Sequence, residues 1–269
     1  MRVVSLLPSA TDIVVALGAA DDLVGVSHSC SGEWDHLPKL TSTWIDTSAS
    51  AAAIDEQVTS ASRPLYQLDI AALERLQPDV IISQSLCDVC AVPSGDVDAA
   101  VRQLSSQPVV LDLAPDRLGD LPQCFELVGR AIGRPEAARR LVARWHTELS
   151  RHHQRFADSE LRVAFLDWLD PPFAAGHWIP DMLEWLGVTC ALAQPGEASF
   201  RVTWEQIDAS QPDLVIAACC GLDQRRAEID AARLKRPIIC LDGDALFSRP
   251  SQALLSSMAL LAETIAAHR

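Results

Sequence analysis

Leu73-Glu74-Arg75-Leu76-Gln77-Pro78-Asp79-Val80-Ile81-Ile82 decides the fold, because its pattern returns as Ile207-Asp208-Ala209-Ser210-Gln211-Pro212-Asp213-Leu214-Val215-Ile216. In both copies a helix-compatible segment meets a Gln-Pro step, and the residue before a proline is pushed out of the helical region. A short apolar run of strand length follows the aspartate. Each copy is preceded by the same opening: Arg-Val, a strand, a loop, and a helix ending in Leu-Gly. These openings start at Arg2-Val3 and Arg162-Val163, and the helices end at Leu17-Gly18 and Leu186-Gly187.

Working outward, strands are expected at Val3–Leu7, Leu23–Ser27, Val80–Ser83 and Val109–Leu113, then at Arg162–Asp167, Leu214–Ala218 and Ile238–Leu241. Helices are expected at Ser9–Leu17, with Ser9 as its N-cap and Asp12 in support, at Ile179–Leu186 and at Leu254–Ala267. Strands alternating with helices indicate parallel βα units. Leu118 to Phe156 is helix-compatible except at Gly133-Arg134-Pro135, and Ala138, Leu141, Val142, Trp145 and Leu149 form one apolar stripe. The expected fold is therefore α/β, with two Rossmann-like lobes of parallel sheet joined by a long backbone helix. The lobes span residues 1–117 and 159–269, and the helical linker 118–158. A ligand cleft is expected between the lobes, at the carboxyl ends of the strands.

The chain has 269 residues, 22 basic and 36 acidic, for a net charge of −14. That balance excludes a duplex nucleic-acid binder, which needs a basic footprint. No apolar run is long enough to cross a membrane, so no membrane insertion is expected. Pro8 and Asp12 interrupt the apolar start at Val3–Leu7, so the chain is expected to enter structure directly and to be cytoplasmic. There the eight cysteines would be thiols or metal ligands. Gly-rich phosphate loops, Gly-x-Ser-x-Gly elbows and His-Glu-x-x-His motifs are missing, and no catalytic residue is assigned.

Ser5-Leu6-Leu7-Pro8-Ser9-Ala10-Thr11-Asp12, Leu23-Val24-Gly25-Val26, the two Gln-Pro-Asp strands and the linker helix resemble the helical-backbone substrate-binding proteins of ABC transporters. That family binds vitamin B12, siderophores, haem and metal ions. His28-Ser29-Cys30, Cys87-Asp88-Val89-Cys90, Gly176-His177-Trp178-Ile179-Pro180 with Glu184, and Phe247-Ser248-Arg249-Pro250 are similar to its cobalamin-binding subgroup. The resemblance implies a cobalamin or related metal-chelate ligand. It also implies an ABC permease partner, met by one surface glutamate per lobe. Glu205 falls at that position in the second lobe, and Ala71 in the first, with Asp69 and Glu74 nearby.

Trp34, Trp44, Tyr66, Trp168 and Trp178 lie in or beside polar loops, where they could give a flat macrocycle aromatic faces or simply pack the loops. Tyr66 also falls near an aromatic of the B12-binding relatives. His28 and His177 are candidate axial or polar contacts, since imidazole suits cobalt, iron and zinc. The second reading uses Cys30, Cys87, Cys90 and Cys219, all just past strand carboxyl ends, as ligands for zinc or an iron–sulfur cluster, with Cys220 as a substitute. On that reading an enzymatic role is open. Cys87 and Cys90 could also act as a redox dithiol, though Pro93 delays the following helix.

Overall fold

A computed structural model describes residues 1–86 and 91–268. The chain divides into two compact units. The first holds residues 1–46, 57–114 and 121–144; the second holds 47–56, 115–120 and 145–269.

In the first unit, β1 (Val3–Ser5), α1 (Pro8–Ala16) and β2 (Leu23–Val26) are followed by β3 (Thr41–Thr43). Next come α2 (Ala51–Thr59), shared with the second unit, β4 (Tyr66–Leu68), α3 (Ile70–Leu76) and β5 (Val80–Ser83). The unit ends with α4 (Ser94–Val101), β6 (Val109–Asp112), α5 (Leu121–Ala131) and the first part of α6 (Pro135–Ser150). β2-β1-β5-β6 form one sheet with every pair parallel, while β3 and β4 make a separate antiparallel ribbon. β1 is buried throughout, as a central parallel strand must be. Val4, Leu6, Leu40, Leu73, Ile81 and Val97 pack the sheet against its helices.

The second unit contains β7 (Arg162–Leu169), β8 (Pro172–Ala174), α7 (Trp178–Leu186), β9 (Thr189–Cys190), β10 (Phe200–Arg201) and α8 (Trp204–Ala209). After these come β11 (Leu214–Ala217), α9 (Gln224–Leu234), β12 (Ile239–Cys240) and α10 (Leu254–Ala267). Its sheet is mixed, which refines the expectation of a wholly parallel one. β7, β11, β12 and β9 are parallel, but β8 turns back antiparallel on β7 and β10 pairs antiparallel with β8. The cause is the length of β7: it runs on to Leu169, and its carboxyl half has an edge free for β8 where β9 no longer reaches.

The sequence repeat has a physical purpose. Gln77 and Gln211 both adopt left-handed backbone, at φ 44° and 49°. Each turn delivers its aspartate to the start of the neighbouring strand. Asp79 Oδ2 accepts the Arg2 N–H at 2.7 Å, and Asp213 Oδ2 accepts the Arg162 N–H at 2.8 Å. Arg2 Nε donates to the Leu76 carbonyl at 2.6 Å, and Arg162 Nη2 to the Ser210 carbonyl at 3.0 Å. These clasps set the registers Val3↔Val80 and Val163↔Leu214 at the amino ends of the sheets. Loops at the carboxyl ends are left for function.

Ser9 is not the cap of α1. Leu7 occupies the N-cap without a side-chain hydrogen bond and Pro8 begins the helix, its missing N–H being one the first turn leaves unpaired anyway. Ser9 lies buried inside the helix, and Thr11 Oγ1 donates to Ser5 Oγ at 2.9 Å. The apolar stripe of α6 is buried at Ala138, Leu141, Trp145 and Leu149, while Val142 at its margin is only half-buried.

Candidate functional site

In the first unit, β2 delivers Ser27 and His28 to the carboxyl edge of the sheet. His28 is half-buried and held by Thr41, whose hydroxyl accepts the His28 N–H at 3.0 Å and meets Nδ1 at 2.7 Å. Ser27 Oγ lies 3.1 Å from the same hydroxyl. Ser29 Oγ sits 3.4 Å from Nε2. Because β3 pairs with β4, Tyr66 is brought beside the imidazole, with ring centroids 5.7 Å apart. Burial lowers the His28 pKa below the ordinary histidine value, so the ring is neutral at pH 7.

Trp34 and Trp44 are not gathered into this pair. Trp34 lies 6.3 Å from the His36 ring. Trp44 donates its Nε1 to the Pro64 carbonyl at 2.9 Å and carries the Arg63 guanidinium 4.8 Å over its ring. Both remain half-buried, with part of each indole accessible.

In the second unit, Asp167 and Trp168 lie in the carboxyl half of β7, and the chain then passes through β8 to Gly176 and His177. Trp168 donates Nε1 to the Ala51 carbonyl at 3.2 Å. Ser199 donates to Asp167 and accepts the Gly176 N–H at 3.1 Å. Gly176 is required by close approach: a Cβ there would stand 2.2 Å from the Glu197 carbonyl oxygen.

His177 has φ 53° and ψ −119°, close to the first central position of a type II′ turn, which favours glycine. A side chain there costs about 1–3 kcal/mol. Two backbone bonds fix it: its N–H donates to the Glu197 carbonyl at 2.6 Å, and its carbonyl accepts the Gly196 N–H at 3.0 Å. The ring stacks on Trp178 at 5.7 Å, and Trp178 Nε1 donates to the Phe247 carbonyl at 3.0 Å. Nδ1 is buried without a hydrogen-bond partner among the described residues, while Asp116 Oδ1 stands 3.7 Å away. Desolvation outweighs the pull of Asp116 and lowers the His177 pKa, so this ring too is neutral at pH 7. Asp116 is stationed there by its neighbours: Asp181 accepts from Arg117 at 2.6 and 3.2 Å and from the Leu118 N–H at 3.0 Å.

The cysteines divide. Cys30 is buried, with its sulfur 3.4 Å from Thr11 Oγ1. Cys219 is fully buried, and burial pushes its thiol well up, which favours S–H over the thiolate that a metal takes. Burial also raises Cys240, to about 11. Cys87 and Cys90 lie outside the described residues. Among the described residues, no group of three or more His, Cys, Asp or Glu side chains is arranged to hold a metal ion.

Sequence reasoning missed Thr41, which holds His28, Ser199, which bonds Asp167, and Asp116, which stands beside His177. Each acts across a distance in sequence that leaves no local signal.

The family model described as "Periplasmic binding protein" matches residues 3–237. The chain belongs to the periplasmic binding protein family. No curated protein matches it. Among solved structures it is similar to the periplasmic vitamin B12 binding protein of Vibrio cholerae, at 20% identity and TM-score 0.67, covering 99% of this chain and 97% of that one. A periplasmic heme-binding protein from Roseiflexus sp. RS-1 gives 22% and 0.71, covering 99% and 98%. An ABC transporter substrate-binding protein from Listeria monocytogenes EGD-e gives 13% and 0.72, covering 97% of each chain. Family membership corrects the cytoplasmic location expected from the opening residues: the family, and the first two of these solved relatives, are periplasmic. Among the described residues, no helix is long and apolar enough to cross a membrane.

Proposed function

We propose that the chain binds a metal chelate of corrinoid or haem type at the carboxyl edges of its sheets. One observation carries this reading: each unit sets a neutral, half-buried imidazole against an aromatic ring at that edge, His28 on Tyr66 and His177 on Trp178. Neutral imidazoles and flat aromatic faces suit a macrocycle that carries a transition metal and much apolar area. Trp34, Trp44 and Trp168 would add contact surface. B12-binding and heme-binding proteins among the relatives of the same fold support the ligand class.

The reading includes delivery to an ABC permease. Glu205 is exposed at the second position of α8, behind the Thr203 cap. The matching position of α3, behind the Asp69 cap, is Ala71. Docking is thus assigned to Glu205 in the second unit, with no carboxylate at the equivalent position of the first.

The experiment is thermal unfolding with cyanocobalamin, hemin or a ferric siderophore. A ligand at one hundred times its Kd adds about 2.7 kcal/mol, a rise of roughly 5–10 °C for a chain of this size. No shift with any of them refutes the proposal. Metal analysis of the same preparation tests the cysteine reading: stoichiometric zinc or iron, lost when Cys87 and Cys90 become Ser, would move the ligand role to Cys30, Cys87, Cys90 and Cys219.

A further inference from the structure

We propose that His177 coordinates the metal of the bound chelate through Nε2, with Asp116 holding the Nδ1–H. This inference rests on the chelate-binding reading above and assigns to one residue the contact with the metal.

The first argument is strain without structural return. Both backbone bonds at position 177 use main-chain atoms, so glycine would make them equally well and without the steric penalty. Among the described residues the imidazole makes a ring stack on Trp178 and no hydrogen bond. Unlike Gln77 and Gln211, whose turns serve the sheet clasps, His177 keeps a strained backbone with no such structural role, and strain of this kind clusters at functional sites.

The second argument is the pair of ring nitrogens. Nδ1 is sealed off, and the side chain keeps 15% of its surface accessible, which leaves Nε2 as the nitrogen a ligand can reach. Metal-bound histidines donate their other N–H to a carboxylate or carbonyl, which fixes the tautomer and raises ligand basicity. Asp116 Oδ1, 3.7 Å from Nδ1, is the carboxylate placed to take that role. It stands on the segment that Arg117 and Leu118 tie to Asp181. His28 contrasts on each point: Thr41 holds its Nδ1 and Ser29 lies against its Nε2, which makes it a polar and stacking contact.

The test uses the full chain with hemin and with aquocobalamin, both of which show by absorption whether an imidazole has entered the axial position. Wild type should bind with the imidazole-ligated spectrum. His177→Gly should lose that spectrum and at least tenfold in affinity, regain the spectrum when free imidazole is added, and melt at a higher temperature than wild type without ligand. Asp116→Asn should keep the ligated spectrum and lose ten- to a hundredfold in affinity. Wild-type binding with the metal's spectrum unchanged overturns the inference and leaves the chelate reading standing. So does His177→Gly with wild-type spectrum and affinity. A lower melting temperature for His177→Gly at wild-type affinity makes the ring a packing element, and likewise overturns the inference while the chelate reading stands. Failure of wild type to bind either chelate removes the chelate reading, and this inference with it.

Discussion

Replacing Gly176 by Ala should break the platform on which His177 stands. The added Cβ would lie 2.2 Å from the Glu197 carbonyl oxygen and 2.6 Å from both the Ala198 carbonyl carbon and the Ser199 nitrogen, all backbone atoms. Favourable carbon contacts begin near 3.5 Å, so the 197–199 segment must retreat by roughly 1 Å. Overpacking of this kind costs about 1–3 kcal/mol. The retreat also pulls on the His177 N–H bond to Glu197 and the Gly176 N–H bond to Ser199, each worth about 0.5–1.5 kcal/mol. Together these amount to about 2–6 kcal/mol, or roughly 5–20 °C in calorimetric Tm. Gly95→Ala is the control: it lies in α4 with nothing within 4 Å of the new Cβ, so it should be neutral or stabilise by about 0.5–1 kcal/mol. A Gly176→Ala protein melting within about 2 °C of wild type would refute the close-approach argument.

Asp79→Ala and Asp213→Ala should each cost about 1 kcal/mol by leaving the Arg2 and Arg162 N–H groups without their carboxylate; the two losses should add in the double variant, read from urea midpoints. Trp178→Phe should cost about 1–3 kcal/mol, because the Phe247 carbonyl loses its indole donor in a buried place, and the same titration checks it. Stability should fall as pH drops through 6.5, because His28 and His177 have lowered pKa values in the folded chain, and the unfolded chain therefore binds protons first. Tm at pH 7.5 and 5.5 should show this loss in wild type and less of it in His28→Gln and His177→Gln. Glu74, Glu205 and Asp208, also lowered, contribute only further down, below the ordinary carboxylate values.

Locally written structure was legible from residue pattern alone. β5 occupies the residues expected of it, Val80–Ser83, and α10 spans Leu254–Ala267 as read, because a continuous apolar run and a helical stripe need no distant partner to be recognised. The Gln-Pro-Asp repeat announced two similar α/β units for the same reason: a proline and the residue before it restrict the backbone wherever they occur. Five strands of two or three residues were not legible. β3, β4, β8, β9 and β10 are too short to show a period, and pairing alone makes them strands. The mixed order of the second sheet was decided by where β7 had a free edge. The surroundings of His28 and His177 came from tertiary structure. That Thr41 grips one ring while Asp116 waits beside the other depends on chain segments far apart in sequence. The left-handed backbone at His177 follows from Glu197 and Gly196 on a neighbouring loop, and no propensity of histidine predicts it. Residue types and spacing singled out the two histidines; burial and contacts between distant segments decided that Thr41 and Ser29 meet the ring nitrogens of His28, while Nδ1 of His177 is buried beside Asp116.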